Sequence, residues 1–137
     1  MVANDFNQQI IDEFRANGGA VGGGFDGAPL LLLHSKGRRS GQERVNPVVY
    51  QQVGDAWAVF ASKAGAPYHP DWYHNLLAQP DTTIEVGSDT IPVHAREATG
   101  AERDTIWEKQ KAAMPGFADY EEKAGSRTIP VIILERM

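Results

Sequence analysis

Residues 30–62 read LLLLHSKGRRSGQERVNPVVYQQVGDAWAVFAS, and the turns within this stretch decide the fold. Leu30 to Leu33 is a short, wholly apolar run that fits a buried strand, and Ser35-Lys-Gly-Arg-Arg-Ser-Gly41 turns the chain back. Val45 to Val53 and Ala56 to Ser62 carry the β-branched and aromatic residues that suit strands. The Gly54-Asp55 pair between them fits a tight hairpin. Strands joined by such short turns pair antiparallel, because a parallel return needs a crossover of roughly a dozen residues or more.

The same grammar continues on both sides. Asn4 to Arg15 reads as a helix with Phe6, Ile10, Ile11 and Phe14 on one face, capped by Asn4 or Asp5 and stopped at Gly18-Gly19. In residues 18–27 six of ten positions are glycine, which excludes a regular element. Asp71 to Ala78 reads as a helix started by His69-Pro70 and ended by Gln79-Pro80. Thr82 to Val86 and Thr90 to Arg96 form a second hairpin around Gly87-Ser88-Asp89. Thr99-Gly-Ala-Glu102 is a capping-box pattern for a helix running to Ala113, and Met114-Pro115-Gly116 breaks it. A short helix over Asp119 to Lys123 and a strand over Thr128 to Glu135 complete the chain. The expectation is a mainly β, α+β fold: antiparallel strands forming a small barrel or curved sheet, with helices packed on it. One domain covers residues 1–137, comprising an N-terminal helix (1–17), the glycine-rich loop (18–27) and the barrel (28–137).

Composition narrows the function. The chain has 137 residues, of which 42% are hydrophobic and 23% charged, a globular balance. With no cysteine, thiolate catalysis, disulfides, iron–sulfur clusters and cysteine zinc sites are all excluded. No apolar run approaches the ~20 residues of a membrane span, and the first residues lack a secretory pattern, so a cytoplasmic location is expected. The net charge of −5 argues against a general nucleic-acid binder. Charge is uneven, however: residues 36–63 carry five basic and two acidic side chains, so this segment is positive on an acidic chain. Such a patch suits a small anionic ligand, although an ordinary solvated hairpin would look the same.

No side-chain machinery of a familiar kind stands out. His69 and His74 are five apart, His34 and His94 stand alone, and no helical zinc pair with its glutamate is present, so no metal is expected. The glycine loop precedes a strand instead of following one, which is the wrong order for a dinucleotide fingerprint. A nucleophile elbow is also missing. An enzyme built this way relies on a bound cofactor for its reactive atom. Arg38, Arg39 and Ser40, with Arg44 at the start of the next strand and Ser62-Lys63 at the end of the third, offer forked and hydroxyl donors for a phosphate or carboxylate. Trp72 could cover a planar ligand or simply pack in the core.

The succession Leu30 through Pro47, then Ala61-Ser-Lys-Ala-Gly-Ala-Pro67, then His69-Pro-Asp-Trp-Tyr-His-Asn-Leu76 resembles the deazaflavin-dependent nitroreductase family. The ending from Asp119-Tyr120 through Arg127-Thr-Ile-Pro130 is similar to that family as well. The likeness covers nearly all of the chain from Asn17 onward. It implies a split β-barrel related to the flavin mononucleotide-binding oxidases, and the cofactor coenzyme F-420, an 8-hydroxy-5-deazaflavin with a phosphodiester and a glutamate tail. That ligand matches the anion site read from the arginines.

Carried over residue by residue, the resemblance assigns Arg38, Arg39 and Ser40 to the phosphate and tail, with Arg44 beside them. Asn46, Pro47 and Val48 would run along the cofactor. Phe60, Ala61, Ser62 and Lys63 would line its ring and linker, and Asp71, Trp72, Tyr73, His74 and Asn75 would close another side. Ser62 and Tyr120 would stand near the reacting substrate as the catalytic pair, with Met114 and Phe117 completing the substrate pocket. Met114 and Phe117 depart from the tyrosines of a nitroimidazole-reducing member, which favours an apolar acceptor. The implied activity is hydride transfer from the reduced deazaflavin to a quinone, an activated enone or a nitro compound. A flavin mononucleotide enzyme on the same barrel and a non-catalytic deazaflavin carrier are the alternatives. The expected partner is a small-molecule acceptor, with the protein a monomer or homodimer. The N-terminal helix, whose only basic residue is Arg15, is expected to pack on the barrel in preference to touching a membrane.

Overall fold

A computed structural model describes residues 5–22, 29–66 and 68–137. The expected helix caps at Asn4 and Asp5, the side chain of Phe6 and the second half of the glycine-rich loop therefore lie outside what is described. Eleven elements follow in chain order. They are α1 (Asp5–Ala16), β1 (Leu30–Lys36), β2 (Glu43–Val53), β3 (Ala56–Phe60), a 3-10 turn (Lys63–Gly65), α2 (Asp71–Ala78), β4 (Asp81–Val86), β5 (Asp89–Glu97), α3 (Gly100–Ala113), α4 (Gly116–Ala124) and β6 (Val131–Arg136). The strands close into a barrel in the order β1-β2-β3-β6-β5-β4. All pairings are antiparallel, and β4 closes onto β1 through Leu32 opposite Glu85 and Leu33 opposite Ile84.

The run of four leucines is buried on both faces of its strand. Successive strand side chains point to opposite sides. Leu31 and Leu33 face a cluster with Val59, Ile84, Val93 and Leu134, which α2 joins through Trp72, Tyr73 and Leu76. Leu30 and Leu32 face outward, beneath Ile10, Ile11 and Phe14 of α1. Strand β6 repeats the device. Ile132 and Leu134 belong to the first cluster, while Val131 and Ile133 pack beneath Ile106 and Trp107 of α3 and Phe117 of α4. Apolar runs without alternation thus mark strands that helices cover from outside. Helix α1 is also tied down by Arg15, which makes two bonds to Glu85, at 3.0 and 2.7 Å. Glu85 accepts or shares a further contact of 2.7 Å with His34 Nε2. The hydrogen bond from Arg15 is the main reason the Glu85 carboxyl titrates below its ordinary range.

The differences from the sequence reading have local causes. Strand β1 runs on through Ser35 to Lys36, because Ser35 and Lys36 pair with Arg44 and Glu43 and extend the ladder by a hydrogen-bonded step on each side. Strand β3 stops at Phe60, so Ala61 and Ser62 lead into the 3-10 turn. Helix α4 begins three residues early, at Gly116. The capping box at Thr99 does not form: the Thr99 side chain makes no capping bond. Its partner Glu102 instead accepts two bonds from Arg96, at 2.7 and 2.8 Å.

Candidate active site

A cavity of about 1280 Å³ lies along β2, between the β1–β2 turn, α2, the 3-10 turn and α4, with α1 at its edge. Its size exceeds the roughly 300–1,000 Å³ of ordinary small-ligand pockets and suits a large cofactor together with a second reactant. Of the expected residues, Arg38, Arg39, Ser40 and Arg44 line it, as do Asn46, Pro47 and Val48 along β2. Phe60 contributes from the end of β3, Ser62 and Lys63 from the 3-10 turn and its approach, Asp71, Trp72 and Asn75 from α2, and Met114, Phe117 and Tyr120 from the α3–α4 region.

The basic end is built by one hairpin. Gly37 and Gln42 close the β1–β2 turn through a 2.8 Å backbone bond, and Gly41 bonds back to Gly37 at 2.8 Å with φ of +72°. Asn75, buried on α2, holds this turn from behind. Its carbonyl oxygen accepts from the Arg38 backbone N–H at 3.1 Å and from the Arg38 guanidinium at 3.3 Å, while its amide donates to Ser35 Oγ at 3.3 Å. Arg38 is thereby fixed, whereas Arg39 and Arg44 stay exposed and able to grip an anion. The nearest carboxylate contact of Arg38 is Asp71 at 3.9 Å. Three cations, Arg38, Arg39 and Arg44, thus face two carboxylates, Glu43 and Asp71, across this end of the wall.

The other end is apolar. Phe117 packs edge-on against Phe60 at 5.5 Å and against Tyr120 at 5.3 Å between ring centroids. Met114 closes this end, its sulfur accepting from buried Gln110 at 3.4 Å. The 3-10 turn brings Ser62 and Lys63 between the two ends. Lys63 has φ of +47°, the only positive value at a non-glycine residue among those described. Its ammonium lies 4.1 Å over the Tyr68 ring. A Cβ on Gly65 would meet Lys123 Cβ at 2.8 Å and the Tyr120 carbonyl at 2.9 Å, so the turn sits directly on α4.

Three expected residues stand off the cavity wall. Ala61 is fully buried in the barrel cluster. Tyr73 and His74 sit one and two positions beyond Trp72, and a rotation of about 100° per residue turns them away from the face that carries Asp71, Trp72 and Asn75. The Tyr73 hydroxyl donates to Glu97 at 2.7 Å, and burial, with that bond behind it, pushes its pKa up to about 12. His74 packs against the rings of Tyr73 and His69.

Sequence reasoning did not anticipate two contributions. Asn7, Gln8 and Ile11 of α1 join the wall, although the apolar stripe of that helix signalled core packing alone. Arg127, which precedes β6, takes no place on the wall yet organises the turn that does. It donates to the carbonyls of Ala61 at 3.1 Å, Ser62 at 2.6 Å and Ala66 at 2.8 Å, and reaches His69 Nδ1 at 2.7 Å. Among the described residues no group of histidine and carboxylate side chains is arranged to hold a metal ion.

Comparison with known proteins agrees with this geometry. Residues 7–136 match the model of the F-420H(2)-dependent quinone reductase family. An F-420H(2)-dependent quinone reductase of Mycobacterium tuberculosis is 36% identical over 127 residues, covering 90% of this chain and 85% of the relative. A second M. tuberculosis protein, named as a candidate for the same activity, is 39% identical over 117 residues, covering 83% of this chain and 96% of its own. Among solved structures, an F-420-H2 dependent reductase superposes with a TM-score of 0.71 at 37% identity, covering 78% of this chain and 94% of that one. A chain described as a domain-swapped dimer superposes at 0.73 and 31% identity, covering 98% and 100%. The haem storage protein HutZ of Vibrio cholerae shares only the split-barrel fold, at 13% identity and a TM-score of 0.60 over 96% of this chain and 90% of its own. The matched span takes in every wall of the cavity, and the chain belongs to the F-420H(2)-dependent quinone reductase family.

Proposed function

We propose that this protein binds coenzyme F-420 in the cavity over β2 and uses the reduced cofactor to convert a quinone to its quinol at the apolar end. The observation that carries the reading is the division of one cavity into a cationic end and an aromatic end, with Ser62, Lys63 and Tyr120 on its wall. The donor set suits the cofactor. Arg39, Arg44 and Lys63 are exposed cations for the phosphodiester and carboxylate tail, with Arg38 held in place by Asn75. Charge-assisted bonds of this kind contribute about 1.5–3 kcal/mol each. Pro47, Val48 and Trp72 supply apolar surface for a ring system.

When bound, the reduced deazaflavin supplies a hydride from its C5. The protein's part is placement. Phe60, Phe117 and Met114 exclude water and present an apolar face to the acceptor. Holding two reactants in one orientation is worth roughly 7–11 kcal/mol of the barrier without any covalent chemistry from the protein. Reduction of a quinone adds one hydride and one proton, and the oxygen that gains charge needs a hydrogen-bond donor. Ser62 and Tyr120 carry the two hydroxyls for that task. Met114 and Phe117 add no further donor, which favours a quinone over a polar nitroimidazole.

The test is turnover of reduced F-420 under anaerobic conditions with a short-chain quinone and, separately, a nitroimidazole. Quinone-dependent oxidation that exceeds nitroimidazole reduction, and that falls when Ser62→Ala and Tyr120→Phe are combined, is the expected result. Equal rates with both acceptors would refute the apolar-end assignment, and unchanged turnover in the double variant would leave the proton to water.

A further inference from the structure

Arg127 is a cation with an unusual set of partners. Its four contacts, at 2.6–3.1 Å, go to three main-chain carbonyls and one imidazole, with no carboxylate among them. Arg127 is partly buried, and that burial lowers its pKa. Even partial desolvation of a guanidinium without a counter-ion is a cost that its oriented partners must offset. Four oriented contacts onto one short turn and the adjoining His69 point to a role beyond packing.

We propose that Arg127 is a positioning residue, which sets the segment 61–66 so that Ser62 and Lys63 are presented to the cavity. This rests on the cavity's role as the cofactor and acceptor site. The peptide geometry shows how the positioning works. No peptide bond among the described residues is cis, and in a trans peptide the C=O and N–H point in opposite directions. Binding the carbonyls of Ala61 and Ser62 to one guanidinium therefore turns the N–H groups of Ser62 and Lys63 away from Arg127. The bonds to the Ser62 and Ala66 carbonyls lie on either side of the positive φ of Lys63, a conformation that costs about 1 kcal/mol or more at a non-glycine residue and persists only when neighbours enforce it. Gly65 then seats the turn against the Tyr120 carbonyl, so one clamp registers Ser62, Lys63 and Tyr120 together.

His69 makes the clamp sensitive to pH. Its Nδ1 faces an N–H of Arg127 at 2.7 Å and can act only as an acceptor, so the contact requires a neutral ring. The groups facing it are Arg127, Tyr73 and His74 on α2, and Glu97 at the end of β5. Burial, then the charges of Arg127 and His74, hold its pKa below the ordinary 6.5, and Glu97 works in the opposite direction. The contact is therefore intact at neutral pH and is lost as pH falls through that depressed value.

The test compares Arg127→Met and Arg127→Lys in the full-length, isotope-labelled protein. Without cofactor, the amide resonances of Ser62 and Lys63 and the titration of His69 are followed by NMR, with Val93 inside the barrel as the internal reference. The expected result is displaced Ser62 and Lys63 amides with Val93 unmoved, and a His69 pKa that rises in Arg127→Met. Quinone reductase kcat/KM then falls about 100-fold in that variant and is partly restored in Arg127→Lys. A folded Arg127→Met protein with wild-type amides and an unchanged His69 titration would overturn the proposal. Should that variant not fold, wild-type amides and wild-type kcat/KM in Arg127→Lys would overturn it equally. A wild-type protein that fails to turn over reduced F-420 refutes the proposed function, while the NMR comparison still judges Arg127 by itself.

Discussion

Asn75 and Arg127 stand behind different walls of the same cavity and solve the same problem at different cost. Asn75 is a neutral amide, 4% exposed, that ties the basic hairpin turn to α2 through Arg38 and Ser35. Arg127 is a charged group that ties the 3-10 turn to the approach of β6 through three carbonyls and His69. A buried amide is satisfied by two or three ordinary hydrogen bonds, whereas a guanidinium needs a ring of oriented dipoles to replace its water. The cheaper device serves the wall that holds cations, where another positive charge behind the turn would repel the arginines it has to hold. The costlier one serves the wall whose backbone must be kept in a strained conformation beside the reacting groups. On this account affinity depends mainly on the first wall, with Lys63 adding to it from the second, and turnover depends on the second.

Gly65→Ala should break that division most severely. A Cβ there meets backbone and Cβ atoms of α4 at 2.8–2.9 Å, in a residue with φ of +80°. The turn must lift from α4, separating Ser62 from Tyr120. Stability should drop by about 2 kcal/mol in thermal unfolding. Turnover of reduced F-420 should fall about 100-fold with a smaller change in cofactor affinity. Wild-type kcat in a folded Gly65→Ala protein would show that the turn and α4 act independently.

Asn75→Ala should give the smaller and opposite pattern. It leaves the Arg38 N–H and Ser35 hydroxyl without their partner, at about 1–3 kcal/mol. Arg38 is freed to leave the wall, so the dissociation constant of F-420 should rise about tenfold while kcat at saturating cofactor stays near wild type. A loss of kcat with unaltered affinity would merge the two walls into one functional unit.

The parts of this arrangement that sequence conveys are those fixed by local chemistry. The glycine-punctuated turn with its arginines, the apolar runs and the helix from Asp71 to Ala78 were legible because turn residues and hydrophobic spacing act over a few positions. The phase of that helix was not. Whether Tyr73 and His74 or Trp72 and Asn75 face the cavity depends on which side α2 lays against the barrel, and all four residues are ring-bearing or polar. Arg127 was visible only as part of a motif. Its partners lie 58–66 positions away and are mostly main-chain atoms, which carry no signature in the sequence. Glu102 shows the converse failure. A correct capping pattern was present, but Arg96 on the neighbouring strand competed for the carboxylate and took it.

The most direct measurement is a fluorescence titration of the cofactor-free protein with F-420, with flavin mononucleotide run in parallel, for wild type, Arg44→Ala and Lys63→Ala. The account predicts saturable F-420 binding that each substitution weakens by about 10- to 100-fold, with flavin mononucleotide binding more weakly than F-420. Tight binding of flavin mononucleotide without F-420, or F-420 binding indifferent to both substitutions, would contradict it.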